Sequence, residues 1–154
     1  MKELYNKLKE EIPFKWRVQS ANQYGASCVA YIDARDVQDL LDNVVGSWCW
    51  QCKYEEHKGN LFCSIGIFDH TLEQWVWKSD CGTESNVEKE KGEASDSFKR
   101  AAVMWGIGRF LYSKTIIKLP VKEKNGKYLP YSKGQERFIY GAENITKWCN
   151  TLTD

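Results

Sequence analysis

The chain has 154 residues, of which 28% are charged and 42% are hydrophobic, and its formal net charge is +1. These values are typical of one ordinary globular domain, and they argue against a disordered or a globally basic protein. No run of apolar residues is long enough for a transmembrane helix. Because the segment MKELYNKLKEEIPFKW has no apolar signal-peptide core, we expect a cytoplasmic protein.

The first part of the chain predicts two helices and one strand. A short amphipathic helix is expected over residues 2–11, and a strand over residues 27–32. Apolar residues then recur at helical spacing, at Val37, Leu40, Leu41 and Val44. This stripe predicts a helix over residues 36–45, with Asp33 or Asp36 as its N-cap.

The hydrophobic period changes from 3.6 to 2 residues after this helix. In the segment WCWQCKYEE the tryptophans and the tyrosine alternate with polar residues, as they do in a half-buried strand. Strands are expected over residues 48–56, 61–69 and 74–80, with short turns between them. Short connections favour an antiparallel meander, whose apolar face must be covered by another element.

The segment that follows supplies a helix long enough to cover that sheet. Ser85 and Glu88 have the spacing of a capping box, and we expect a helix over residues 86–111. Gly106 and Gly108 either loosen its last turns or let another backbone come close. The expected fold class is α+β, an antiparallel three-stranded meander packed on a long helix (β-β-β-α), with a short preceding helix and flanking small elements.

The remaining residues give weaker signals. Asn125-Gly126 predicts a hairpin turn, and Ile145, Trp148 and Cys149 suggest a short final helix. Residues 114–137 carry seven basic and two acidic side chains, which predicts a basic patch on part of the surface. No repeat or boundary divides the chain, so we expect a single domain over residues 1–154.

Six cysteines raise the question of a disulfide or zinc framework. Cys49 and Cys52 form a CxxC, but residues three apart in a strand point to opposite faces and chelate poorly. No second CxxC follows. We therefore expect free, mostly buried thiols.

One enzymatic alternative remains open. Glu56 and Lys58 end a predicted strand, and an acid-x-Lys pair in that position can hold a metal ion in nucleases. The further acids nearby, Asp39 and Asp42, lie on a helix. The competing interpretation is a polar hairpin tip.

Basic side chains suggest nucleic-acid binding instead. Lys99, Arg100 and Arg109 lie in the long predicted helix, Arg35 precedes another helix, and Lys53 lies on a strand. Lysine and arginine contact phosphates, and exposed aromatic rings stack on bases. An ordinary solvent-facing helix also carries such pairs, so these residues indicate a possible nucleic-acid binder only.

A longer motif makes the interpretation more specific. KG-x-x-SD-x-FKRA followed by GIGRFLY, over residues 91–112, resembles the signature helix of the Rad52-type family of single-strand annealing proteins. The similarity is strongest to the short bacterial and phage relatives, including the DdrA-like and Sak-like groups. YIDARDV upstream is similar to the lead-in of the family's first helix. The resemblance covers about residues 30–112, which leaves residues 113–154 as a basic C-terminal extension.

The resemblance implies a binding protein and not an enzyme. It implies an oligomeric ring or filament that holds single-stranded DNA in a groove, with the bases facing outward to pair with a second strand. Base pairing drives that reaction, so neither ATP nor a metal nor any other cofactor is implied. Lys99 and Arg100 match the family's lysine-arginine pair in the DNA groove, whereas a further family arginine is replaced here by Val103.

The other basic residues are matched less closely. The basic residue that opens the family's first helix aligns with Arg35 or Asp36, and Arg109 belongs to the GIGR element, where DNA contact, subunit contact and folding are all open roles. Arg100 is four residues after Asp96 and has an ion pair as its structural alternative.

The function expected from the resemblance is ATP-independent annealing of single-stranded DNA in recombination and repair, in a bacterial cell or a phage-infected host. A single-strand-binding protein or an exonuclease is a possible partner. A DNA-end-protecting binder of the same fold is the first alternative, and the nuclease with Glu56 and Lys58 is the second.

Overall fold

The computed structural model describes residues 1–83 and 89–153. In chain order the elements are α1 (Lys2–Leu8), β1 (Lys15–Asn22), β2 (Gly25–Tyr31), α2 (Ala34–Val45), β3 (Trp50–His57), β4 (Asn60–Asp69), β5 (Gln74–Cys81), α3 (Lys89–Met104), a 3₁₀ helix (Arg109–Ser113), β6 (Ile117–Leu119), β7 (Val121–Lys124), β8 (Lys127–Ser132), β9 (Arg137–Phe138) and α4 (Ala142–Thr153). None of the described helices is both long and apolar enough to span a membrane.

The contacts divide the chain into two compact units. The first unit comprises residues 1–12 and 33–110, and the second comprises residues 13–32 and 111–154. The prediction of one domain over residues 1–154 stays a prediction, because compactness does not establish whether the units fold separately.

A three-stranded antiparallel sheet and α3 form the core of the first unit. The strand order is β3-β4-β5, and the register places Trp50 opposite Ile67 and Ile67 opposite Val76. Alternate residues of β4 point to one face, where Ile65 and Ile67 are buried. α3 covers this face, and the indole N–H of Trp105 donates to the carbonyl of Ile65 at 3.0 Å. The α+β class and the β-β-β-α order are therefore confirmed.

The start of α2 agrees with the sequence prediction to within two residues. The side chain of Asp33 accepts from the Asp36 backbone N–H at 3.0 Å, and Asp36 accepts from the Asp33 N–H at 2.9 Å. This reciprocal capping box fixes the first turn. Trp50 ties the helix to β3 through an indole N–H bond of 2.6 Å to the Asp42 carboxylate.

The predicted end of the long helix is wrong. α3 ends at Met104 and not at residue 111, because the chain turns into the left-handed region at Gly106, with φ +90°. The Ile107 N–H donates to the Ala102 carbonyl at 3.1 Å, and the Gly106 N–H donates to the Val103 carbonyl at 2.9 Å. This pattern is a Schellman motif, which glycine favours. The predicted capping box at residues 85–88 lies outside the described residues.

Two small sheets and α4 form the second unit. One sheet has the order β1-β2-β6, and the other has the order β7-β8-β9. Trp16 is 2% exposed in the core of this unit, where its indole N–H donates to Asn150 of α4 at 3.2 Å. The predicted Asn125-Gly126 turn joins β7 to β8, with both residues at positive φ. Neither β1 nor the pairing of β8 with β9 was predicted from the sequence.

All six cysteines are free. The expectation that most are buried is wrong, because only Cys28, Cys63 and Cys149 are fully buried. Cys49 lies in the turn before β3, and Cys52 is an exposed strand residue.

Candidate nucleic-acid interface

The outer side of α3 carries the two basic residues that the sequence singled out. Phe98, Ala101 and Ala102 are buried against the sheet, so the intervening positions point away from it. Arg100 is exposed and Lys99 is half-buried. Both side chains therefore extend from a helix that is held in place by its packing.

The ion pair considered for Arg100 does not form. Asp96 instead accepts from the backbone N–H of Thr83 at 2.9 Å and from its hydroxyl at 3.3 Å. Within the described part of the chain, neither Lys99 nor Arg100 has an ion-pair partner. Both cations therefore have no described carboxylate neutralising them, which suits phosphate binding.

Arg109 closes the end of α3. Its Nε donates to the carbonyl of Val103 at 2.8 Å, and its two terminal nitrogens donate to the carbonyl of Met104 and to the hydroxyl of Tyr5, both at 3.2 Å. These bonds satisfy carbonyls that have no partner inside the helix. Of the three roles left open for Arg109, the contacts favour a role in the fold, and DNA binding by this residue stays a prediction.

Lys53 lies on the opposite face of the sheet from α3. Its ammonium stands 4.7 Å from the ring centroid of Trp77 and 3.8 Å from the Glu55 carboxylate. Trp77 is on the face that α3 leaves uncovered, because strand residues alternate and the neighbouring Lys78 donates to the carbonyl of Met104, the last residue of α3. The structure therefore does not bring Lys53 together with Lys99 and Arg100.

Arg35 is an exposed residue in the first turn of α2. α2 packs against α3 within the first unit, so Arg35 and the Lys99–Arg100 pair lie on neighbouring helices. Its contact with DNA remains a prediction.

The uncovered sheet face also carries an aromatic cluster that is not among the predicted site residues. Trp75 and Trp77 have ring centroids 6.2 Å apart, and Phe68 packs edge-on against Trp75 at 5.5 Å. A Cβ on Gly66 would come within 2.8 Å of the Trp77 ring, so glycine gives this indole its space. The alternation Trp-Val-Trp was the available signal, because it puts two indoles on one face.

The nuclease alternative gains no support from the geometry. Glu56 lies in β3 opposite Leu61, and Lys58 lies in the following turn at φ 52°. Among the described residues, no group of three or more His, Cys, Asp or Glu side chains is arranged to hold a metal ion. Glu56 and Lys58 thus occupy a polar hairpin tip.

Three side chains on the α3-facing side of the sheet have shifted pKa values. A hydrogen bond with Cys63 lowers the pKa of the Cys52 thiol to about 7, burial partly offsets this, and Tyr54 lowers it further. The pKa of Cys63 is raised by its hydrogen bond with Cys52 and by burial. Burial, followed by the neighbouring thiols, raises the pKa of Tyr54. Cys52 is therefore the thiol that ionises most readily in this group.

The chain is similar in sequence to proteins of known families. A family model described as Rad52/22 family double-strand break repair protein matches residues 61–128, a segment that contains α3 with Lys99 and Arg100. The single-stranded DNA-binding protein DdrA of Deinococcus deserti is 35% identical over 103 residues, which are 66% of this chain and 50% of that protein. The protein of the same name from Deinococcus radiodurans is 36% identical over 95 residues, 60% of this chain and 44% of that protein.

Both comparisons confirm that the chain resembles the Rad52-type single-strand annealing family and has DdrA-like relatives. The chain spans about half the length of the curated relatives that it matches.

Proposed function

We propose that this protein binds single-stranded DNA and anneals complementary strands without ATP, in recombination and repair. The observation that carries the proposal is the position of Lys99 and Arg100. Both stand on the outer side of a packed helix, without a described ion-pair partner, inside the segment that matches the family model.

The proposed mechanism assigns the backbone and the bases of DNA to different partners. Lys99 and Arg100 neutralise phosphates, which holds the strand and releases counterions. The bases stay free to pair with a second strand, and pairing supplies the free energy of annealing. No covalent bond is made or broken in this reaction, so we propose a binding protein and not an enzyme.

We further propose that the protein acts as a homo-oligomer, as a ring or filament. Two cations on one helix contact only a few phosphates, and single-strand affinity rises with the number of phosphates bound. Repetition of the helix around an assembly would extend the contact along the strand, as in multivalent binding.

A second candidate is a single-strand binder that protects DNA ends and does not anneal. Both Deinococcus relatives are named single-stranded DNA-binding proteins, and this name supports the second candidate because it describes binding alone. The two candidates share the Lys99–Arg100 contact and differ only in whether the bound bases pair.

The experiment that tests the proposal compares the intact chain with the Lys99→Ala and Arg100→Ala variants. We expect the intact chain to bind a mixed-sequence oligonucleotide without magnesium, to form a large species by light scattering, and to accelerate annealing of two complementary strands. Each variant should bind several-fold more weakly and lower the salt slope by about 0.7, the value for one phosphate on a single strand. Unchanged binding in both variants would overturn the assignment, and binding without annealing would favour end protection.

A further inference from the structure

A second surface with the properties of a nucleic-acid site lies in the other unit. One face of the β7-β8-β9 sheet carries three lysines and three aromatic rings, here called the lysine–aromatic face: Lys122, Lys124, Lys127, Tyr131, Phe138 and Tyr140. The register puts the strand residues of this set on one side, because Lys124 is opposite Lys127 and Tyr131 is opposite Phe138. Tyr140 follows β9 and joins this side by stacking on Phe138. The other side carries Pro130 and Ile139, which are buried.

The three rings form a continuous row of contacts. The Tyr131 and Phe138 centroids are 5.1 Å apart in an edge-to-face arrangement, and Phe138 stacks on Tyr140 at 6.1 Å and 26°. Tyr140 ends this row and is 52% exposed. An exposed tyrosine supported from behind by another ring offers a rigid flat surface, which is what an unstacked base requires.

The lysines stand close to these rings. The Lys122 ammonium is 4.8 Å from the Tyr131 centroid, and the Lys124 ammonium is 5.1 Å from that of Phe138. Lys124 also donates to the hydroxyl of Tyr140 at 3.2 Å. The ammonium groups and the rings are thus spaced to act on one ligand.

The charge arrangement points to an anionic ligand. Lys124 and Lys127 are directly opposite each other on two strands, and like charges in that position destabilise a sheet. Within the described residues, Lys122, Lys124 and Lys127 have no carboxylate in ion-pair contact. The acid of β7, Glu123, is on the opposite face. A polyanion would relieve this repulsion.

We propose that the lysine–aromatic face is a second binding surface for single-stranded nucleic acid, with phosphates on the lysines and a base stacked on Tyr140. The ligand class follows from the combination of phosphate-binding cations with an exposed ring, which neither an acidic peptide nor an anionic lipid surface would need. The inference rests on the proposed function for its ligand class, but it uses residues of a different unit from Lys99 and Arg100.

The test measures the affinity of the full chain for two labelled oligothymidylates of equal length, one intact and one with abasic sugars in place of all its nucleosides. The abasic strand keeps the phosphates and lacks the bases. Tyr140→Leu should weaken binding of the intact strand roughly tenfold and leave the abasic strand unchanged, since stacking is lost. Tyr140→Phe keeps the ring, and it should bind both strands like the unmodified chain.

The lysines are tested on the same two strands. The Lys122→Ala/Lys124→Ala double variant should weaken both strands and lower the salt slope by about 1.4, the value for two phosphates on a single strand. Lys118→Ala is the matched control, because Lys118 is an exposed lysine of the second unit that lies in β6 of the other sheet. The Lys118→Ala effect should be smaller than that of Lys122→Ala or of Lys124→Ala, each measured singly on the same strands.

The outcomes separate this inference from the proposed function. If the face variants bind like Lys118→Ala while Lys99→Ala is weakened, the second surface is overturned and the proposed function stands. If the face variants are weakened and Lys99→Ala is not, the assignment of the α3 contact falls and the second surface stands. If Tyr140→Leu weakens binding of the intact strand and of the abasic strand equally, the stacking role is overturned. If the unmodified chain does not bind single-stranded DNA, both proposals are overturned.

Discussion

A hydrogen bond between the Arg109 side chain and the Val103 carbonyl closes the turn that follows α3. The Arg109 Nε donates to the Val103 carbonyl at 2.8 Å, and the same carbonyl accepts from the Gly106 N–H at 2.9 Å. The arginine of the GIGR element therefore continues the capping that the glycines begin. This relationship links the signature motif to the stability of the helix that carries Lys99 and Arg100.

The Arg109 contacts predict a loss of stability on truncation. Arg109→Ala removes three donors from the end of α3, and the lost charge-assisted hydrogen bonds should lower the free energy of unfolding by about 1–2 kcal/mol, since the group is exposed. Urea denaturation measures this change. Arg35→Ala is the matched control, because it removes an exposed arginine from the first turn of a helix, where a positive charge contributes nothing favourable.

Binding separates the structural role of Arg109 from a role in DNA contact. At a temperature where Arg109→Ala remains folded, we expect its affinity for single-stranded DNA to equal that of the unmodified chain. An unchanged unfolding midpoint together with weaker binding would reverse the assignment.

Gly82 lies so close to the backbone of α3 that no side-chain atom fits between them. A Cβ on Gly82 would lie 2.5 Å from the Glu93 carbonyl oxygen and 2.9 Å from the Ser97 nitrogen, both in the backbone of α3. Gly82→Ala should therefore lower the free energy of unfolding by about 1–3 kcal/mol or more, the usual cost of overpacking. Gly134→Ala is its control, because a Cβ there meets no atom within 4 Å. Equal denaturation midpoints for the two variants would contradict the close approach.

The first unit was largely predictable because its local signals and its packing agree. The change from helical to strand period after Val45 placed the three strands to within two residues, and the apolar stripe of α2 placed that helix. The end of α3 was missed because large apolar residues, Trp105, Ile107, Phe110 and Leu111, continue after the helix stops. Gly106 and Gly108 were the local signals for this end, but the apolar residues continue at helical spacing past them.

The second unit was less predictable, since its core is assembled from distant segments. Trp16 of β1 is buried against α4 through contacts with Thr146 and Asn150, which are about 130 residues away in sequence. Only two positions of β1, Trp16 and Val18, are not exposed, so its alternation is weak. The lysine–aromatic face likewise depends on strand pairing between β8 and β9, which no local pattern reveals. The number of charged residues in the sequence identified residues 114–137 as basic, but it did not identify the aromatic rings that lie beside their lysines.

The Cys52 thiol predicts a pH-dependent reactivity. Its pKa is lowered to about 7, first by the hydrogen bond with Cys63, so the thiolate should predominate above neutral pH. The alkylation rate of the folded protein with iodoacetamide, read by peptide mass, should be half-maximal near pH 7 at Cys52. The Cys28 thiol, whose pKa burial raises, should stay unreactive there.

Two substitutions of Cys63 test the cause of that shift. Cys63→Ala removes the hydrogen bond and should move the Cys52 alkylation midpoint upward, toward its ordinary value of 9.0. Cys63→Ser keeps a donor at the same position and should move it less. A Cys52 midpoint that stays near pH 7 in Cys63→Ala would contradict the hydrogen bond as the cause.

The positions of Lys53 and Lys99 on opposite sides of the sheet predict unequal roles. A strand that lies along α3 does not reach Lys53 of the same chain, whose ammonium is engaged with Trp77 and Glu55. Lys53→Ala should therefore weaken single-stranded DNA binding less than twofold. Lys99→Ala should weaken it about fivefold or more, because a lost phosphate contact costs about 1 kcal/mol of binding free energy. The Lys53→Ala/Lys99→Ala double variant should be additive to within about 0.5 kcal/mol, as expected for separated sites. Fluorescence anisotropy at one fixed salt concentration measures the affinity of all three variants. Glu55→Gln is the control, because it keeps Lys53 and removes its ion-pair partner.

If Lys53→Ala loses as much affinity as Lys99→Ala, the bound strand also contacts the uncovered face of the sheet. It would do so if it passed between neighbouring copies of the chain.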